Sequence, residues 1–220
     1  MQKDPSNTQW QTFLAPNYET GAKLLDLLRR PAEATEFARR AFALRRAYVA
    51  RNPSSVPGQQ YFLASAEALA AHLVKPEEAS EKLEIYRAAL EAMQSIAKSE
   101  PESPGLQARL FASYVNIANT LIAQGDFDGA LANYEEARKI AQGVLDKSGK
   151  AAAWQKRLVQ ALIKIGDALD GKSDADKALQ RYQEAHALLQ QLIGNAPSDG
   201  ELQRALQDVE DKLQRLAAKN

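Results

Sequence analysis

Apolar positions along this chain recur every three or four residues rather than alternating. The last stretch shows the rhythm plainly: Leu202, Leu206, Val209, Leu213 and Leu216 mark one face, with Gln, Asp, Arg and Lys on the others. That spacing predicts an amphipathic helix. The same reading predicts helices over about 7–29, 32–51, 58–74, 77–99, 104–124, 127–147, 151–171, 174–194 and 199–218. Polar turns such as "VKPEEAS", "AQGDFDGA" and "DGKSDADKA" separate them, where Asp, Ser and Pro supply caps and first-turn residues. Pro16 falls inside the first helix and is expected to kink or break it, because proline removes one hydrogen bond and crowds the preceding turn.

The pattern also repeats on a longer scale. The only two tryptophans, Trp10 and Trp154, stand 144 residues apart, which is three times 48. At a period of 48, Gln11, Gln59, Gln107, Gln155 and Gln203 fall in phase. So do Pro5, Pro53, Pro101 and Pro197, with Gly149 in the remaining place. A small residue recurs as Ala22, Ala70, Ala118 and Gly166, and another as Ala41, Ala89, Ala137 and Ala185. Between them lie Leu25, Leu73, Leu121 and Leu169, then Ala34, Lys82, Ala130 and Ala178. Tyr86, Tyr134 and Tyr182 form an aromatic column, interrupted at Ala38 with Phe37 beside it. Small residues let paired helices approach, and the aromatic fills the hole that results.

Each repeat therefore reads as two antiparallel helices. The tryptophan column, filled elsewhere by Gly58, Leu106 and Leu202, is expected to bury its side chains. The glutamine column predicts a repeated hydrogen bond near the helix start.

Small, Leu, Ala, Tyr and Ala residues at the spacing of Ala118, Leu121, Ala130, Tyr134 and Ala137 resemble the tetratricopeptide repeat, where they take relative positions 8, 11, 20, 24 and 27. The ordinary repeat has about 34 residues. The longer period resembles a long-helix bacterial variety in which "DP…WQ…L" opens each unit and "GD…A" marks the turn, a pattern similar to "KDPSNTQWQTFL" and "KIGDALDGKSDADKALQRYQEA" in this chain. The resemblance implies an all-α fold, an α-solenoid of antiparallel helix pairs. It would form a single domain over 1–220, with repeats at about 5–52, 53–100, 101–148 and 149–196 and a capping helix within 197–220.

Composition narrows function mainly by exclusion. The chain has 28 basic and 28 acidic residues, so it lacks the surplus positive charge that nucleic acid or anionic membrane binding needs. The basic cluster Arg39, Arg40, Arg45, Arg46 and Arg51 reads as a solvated helix face. No cysteine is present, which excludes disulfides and thiol chemistry. No apolar run approaches the ~20 residues of a membrane span, and the N-terminus "MQKDPSNTQ" lacks a signal-type apolar stretch, so a cytoplasmic location is favoured. His72 and His186 are the only histidines, and they read as packing or rim residues. No catalytic, metal-binding or phosphate-loop motif is present, so neither enzymatic activity nor a cofactor is expected.

A protein-interaction surface remains. By the resemblance, positions 2, 5, 9 and 12 of each first helix point into a concave groove. These are Pro16, Glu19, Lys23 and Asp26, then Ala64, Glu67, Ala71 and Val74, then Ala112, Val115, Asn119 and Ile122, then Gln160, Ile163, Asp167 and Asp170. The groove would be apolar in the middle and acidic at one end, suiting a peptide with an apolar anchor and a basic residue. Val115, Ile122 and Ile163 could equally pack against neighbouring first helices. Asn116, Asn119 and Lys164 are only fragments of the family's carboxylate clamp, so acidic chain ends are not expected as ligands. The other reading is a structural one, in which the array self-associates or spaces the parts of a larger protein.

Overall fold

The computed structural model describes residues 8–98, 100, 103–148 and 151–218, with side chains from Leu14 onward. Pro5, Pro101 and Gly149, and the side chains of Trp10 and Gln11, lie outside those residues. Among the described residues regular structure is all helical: α1 (Thr8–Leu27), α2 (Pro31–Arg51), α3 (Val56–His72), α4 (Ala79–Ala97), α5 (Pro104–Ala123), α6 (Phe127–Ser148), α7 (Ala152–Gly171), α8 (Ala175–Asn195) and α9 (Gly200–Ala217). A short 3-10 turn, Pro76–Glu78, leads into α4. The bounds follow the periodicity to within a few residues. The chain divides into two compact units, residues 1–106 and 107–220, close to the boundary between the second and third sequence repeats.

α1 is continuous through Pro16, so the expected break does not occur. Pro16 is exposed, so the ring that crowds the preceding turn displaces no core side chain.

The turns inside the first, third and fourth repeats are built by one device, whereas the second turns through Pro76–Glu78. Arg30, Asp126 and Asp174, in register at the 48-residue period, donate backbone N–H to Leu25, Leu121 and Leu169. The preceding residues, Arg29, Gly125 and Ser173, take the left-handed conformation with φ of 57°, 78° and 63°. This is a Schellman closure, which satisfies the last carbonyls of the first helix. Asp126 and Asp174 then cap the second helix through the backbone N–H of Gly129 and Lys177. Only the turn at Gly125 uses a residue free of Cβ strain there. Ser173→Gly is accordingly expected to raise stability by about 0.5–1 kcal/mol, measured by urea denaturation. An unchanged midpoint would count against strain at this turn.

In the first unit, Gly21 meets the edge of Phe37, whose ring a Cβ at that position would approach to 2.6 Å. Phe37, rather than Ala38, thus fills the aromatic place in the first repeat. Phe42 stacks on Phe62 across α2 and α3 at 5.3 Å. Gly58 shows why the tryptophan column tolerates glycine, because Tyr48 of α2 fills that space and a Cβ would lie 2.6 Å from its ring. Lys82, standing where other repeats have alanine, donates to the carbonyl of Leu73 at 3.0 Å.

In the second unit, Ala130, Ala137, Ala178 and Ala185 are fully enclosed, and Tyr134 and Tyr182 are buried beside them. A Cβ on Gly166 would come within 2.5 Å of the Tyr182 ring. Trp154 is buried at 7% exposure and meets Phe111 edge-on at 6.4 Å. Two glutamines of the column make the expected bond: Gln59 Nε2 donates to the Pro53 carbonyl at 2.5 Å and Gln203 Nε2 to that of Pro197 at 2.7 Å. Both Gln59 and Gln203 tie their helix starts to the loop six residues back.

Candidate protein-interaction surface

On α3 the packed and open sides separate sharply. Ala66, Leu69 and Ala70, and Leu73 just past the helix, are buried, whereas Ala64, Glu67 and Ala71, and Val74 past the helix end, are exposed. The four exposed residues are the predicted groove positions. On α1, Pro16, Lys23 and Asp26 are exposed and Glu19 is half-buried.

Two of these charges are held within the unit. Glu19 receives both arms of Arg45, at 2.9 and 3.2 Å. Arg45 is only 9% exposed and lies 4.7 Å from the Tyr61 ring. The solvated reading of the arginine cluster is therefore corrected at Arg45, which is an internal cation. Arg39 is likewise clasped by Glu81 at 2.8 and 2.9 Å, and the Glu81 hydrogen bond, against a lowering by burial, raises its pKa above the ordinary arginine value. Asp26 faces His72 Nε2 at 3.0 Å, while His72 Nδ1 bonds the Ala68 carbonyl at 2.8 Å. Lys23 has no such carboxylate partner among the described residues.

Between α1 and α3, with α2 behind, lies a pocket of about 120 Å³. Alanines form most of its lining: Ala22, Ala38, Ala41, Ala64 and Ala68. Glu19, Lys23 and His72 border it. Ser65, 3% exposed, completes the lining, and its buried hydroxyl has no hydrogen-bond partner among the described residues. An unmade bond of that kind costs about 1–3 kcal/mol, and most buried hydroxyls avoid it.

In the second unit the predicted groove residues are largely engaged. Val115 lies in the core, and Ile122 and Ile163 are half-buried. Asn119 is exposed, but its Oδ1 accepts from the Tyr134 hydroxyl at 2.7 Å. One repeat on, Asp167 accepts from the Tyr182 hydroxyl at 2.9 Å. Asp167 also receives Lys212 Nζ at 2.8 Å, and Asp170 pairs with Arg215. Burial, with the Asp167 charge adding to it, pushes the Tyr134 phenol up to about 12. Burial and Asp167 raise the Tyr182 phenol further still. Burial alone would lower the Lys212 ammonium, but hydrogen bonds to Asp167 and Asp208 outweigh it and raise the pKa. The acidic end of the predicted groove is thus charge-compensated by α9 of the same chain.

The tyrosine contacts were open to discovery in the sequence, since Tyr134 and Tyr182 each follow their acceptor by 15 residues. The 45-residue separations of Lys212 from Asp167 and Arg215 from Asp170 carry no local signal. Among the described residues no three His, Asp or Glu side chains group as metal ligands, and no helix is long and apolar enough to cross a membrane.

These features define an all-α protein of the α-solenoid class, made of repeated antiparallel helix pairs. The tetratricopeptide repeat family matches residues 109–191, so the chain carries tetratricopeptide repeats there, across the third and fourth sequence repeats. Solved structures agree on the fold. The yeast histone chaperone Hif1, a scaffold protein recruiting protein complexes to core histones, is 16% identical with a TM-score of 0.57, covering 96% of this chain and 98% of that one. The apo form of RapI is 16% identical at a TM-score of 0.56, covering 99% of this chain and 72% of that one. A signal transduction ATPase with numerous domains from Pyrococcus horikoshii, with a tetratricopeptide repeat sensor, is 12% identical at a TM-score of 0.60. The match covers 95% of this chain but 30% of that protein. Curated protein sequences give no match.

Proposed function

We propose that this chain is a non-enzymatic protein-interaction module whose first helices hold a peptide or protein segment on their open face. The repeat fold supports an interaction module in general. One observation carries the finer reading: on α3, Ala64, Glu67 and Ala71 stay exposed as a row, with Val74 exposed just past the helix end, while the opposite side packs. A helix that keeps small and apolar residues open in a line offers contact area at little entropic cost. The scaffold role of Hif1, which recruits complexes to core histones, is of the same general kind.

The partner's chemistry follows from the charges. Asp167 and Asp170 already hold Lys212 and Arg215, so a basic residue of a partner gains nothing there without displacing α9. An apolar anchor is the better match for the open face. The test is capture of a partner by the intact chain, followed by Ala71→Arg and Ala112→Arg, each on an exposed position. Affinity should fall at least about tenfold, the scale of one interface residue worth 1.4 kcal/mol. A partner bound equally well by both variants would sink the open-face assignment. Alanine at Asn119 is a poorer probe, since it also strips the Tyr134 hydroxyl of its acceptor.

Self-association is the second reading, favoured by Leu24 and Leu27 of α1 and Leu28 just past it, which are 56%, 81% and 57% exposed. Light scattering across a concentration series separates the two readings.

A further inference from the structure

We infer that the pocket between α1 and α3 is an anchor subsite for a short aliphatic side chain followed directly by an acidic residue in a bound protein segment. The inference rests on the open-face reading above and specifies its chemistry in the first unit.

Three features of the pocket select this ligand. Its volume of about 120 Å³ is somewhat below the roughly 150 Å³ that accepts a benzene molecule in an engineered core. One branched aliphatic group fits it. Methyl groups from the five alanines give that group an apolar lining, and Ala71 extends the apolar row along α3.

The second feature is Ser65. Ser65 lines the pocket, and its hydroxyl, just beneath the surface, is unpartnered among the described residues. A hydroxyl both donates and accepts, so a peptide carbonyl or N–H entering with the anchor gives it the missing bond. A purely hydrocarbon ligand leaves that bond unmade.

The third feature is charge. Glu19 is neutralised by Arg45, and Asp26 faces His72. Lys23, between them on α1, borders the pocket without a carboxylate partner among the described residues. It favours a carboxylate on the residue next to the anchor and disfavours a cation there.

The probe is the blocked peptide Ac-Gly-Gly-Leu-Asp-Gly-Gly-NH2, titrated into the isotope-labelled chain and followed by amide chemical shifts. Its controls replace Leu by Gly or Asp by Lys. Shifts centred on residues 64–72 and 19–23 are expected, with either control binding at least about tenfold more weakly. Ala68→Leu, which fills the pocket, should remove the shifts. Lys23→Glu should weaken binding about tenfold, and as an exposed substitution it leaves the fold intact. Ser65→Ala should weaken binding about fivefold while preserving the site of the shifts.

Equal binding by wild type and Lys23→Glu, or absence of peptide-induced shifts in the wild type, overturns the subsite. Shifts confined to other parts of the first helices, insensitive to Ala68→Leu, also overturn it but leave the open-face reading standing. That reading falls separately, on the captured partner's indifference to Ala71→Arg and Ala112→Arg.

Discussion

Tyr182→Ala should cost about 3–5 kcal/mol, the range for deleting a fully enclosed aromatic ring, against a total stability of roughly 5–15 kcal/mol for an ordinary domain. Tyr182 is 0% exposed. Its ring fills the space above Gly166, its hydroxyl donates to Asp167, and Lys212 lies 5.7 Å from the ring centre. Truncation opens a cavity between α7 and α8 and removes a donor from a carboxylate at once. Tyr86→Ala should cost distinctly less. Tyr86 is half-buried, and the register position that supplies Asn119 or Asp167 to the other tyrosines holds Ala71 in its repeat. Equal losses for Tyr86→Ala and Tyr182→Ala in chemical denaturation would defeat this account of the column.

Gly166 supplies the internal control. Gly166→Ala alone should destabilise by about 1–3 kcal/mol, the usual penalty for overpacking, because the new Cβ would sit 2.5 Å from the Tyr182 ring. In the Tyr182→Ala background the same change should become neutral or stabilising, since the clash is gone and alanine is about 1 kcal/mol better than glycine inside a helix. That reversal of sign is a pairwise coupling that a double-mutant cycle reads directly.

The coupling shows which parts of the fold could be read in the chain. The 48-residue period placed Gly166 and Tyr182 in paired columns, and the glutamine column pointed to a bond near the helix start, whose acceptors are Pro53 and Pro197. Such contacts recur because each repeat solves one packing problem with the same residues. Contacts outside the period were invisible. Arg45 sits in a run of arginines that looks solvated, yet Glu19 and Tyr61 draw it inside. Asp167 and Asp170 looked free because their partners arrive from α9, whose sequence shows only its apolar stripe. The pocket was hidden for a different reason: alanines that resemble ordinary close-packing residues leave a space where three helices meet without filling it.

α9 should prove indispensable to the second unit, through its apolar side rather than its charges. A chain ending at Ser198 loses Leu202, Val209 and Leu216, which are 4%, 0% and 1% exposed. Each fully buried aliphatic side chain is worth about 1.5–3 kcal/mol, so the cut should bring the unit close to unfolding and lay bare the side of α8 that α9 covers. The ion pairs make a smaller contribution. Arg215 is half exposed, and a pair of that kind contributes about 0–1 kcal/mol. Lys212 is more enclosed, but replacing it leaves Asp167 bonded to the Tyr182 hydroxyl. The combined change Lys212→Met and Arg215→Met, which keeps the aliphatic stems, should therefore lower stability by no more than about 2 kcal/mol. Val209→Ala with Leu216→Ala should exceed it, at about 3–6 kcal/mol. Thermal or urea melts of the three variants decide the matter. If the charge variant melts as early as the truncated chain, α9 is held by Asp167 and Asp170 and a basic partner segment could displace it. The opposite order makes α9 a permanent cap and leaves Asp167 and Asp170 closed to partners.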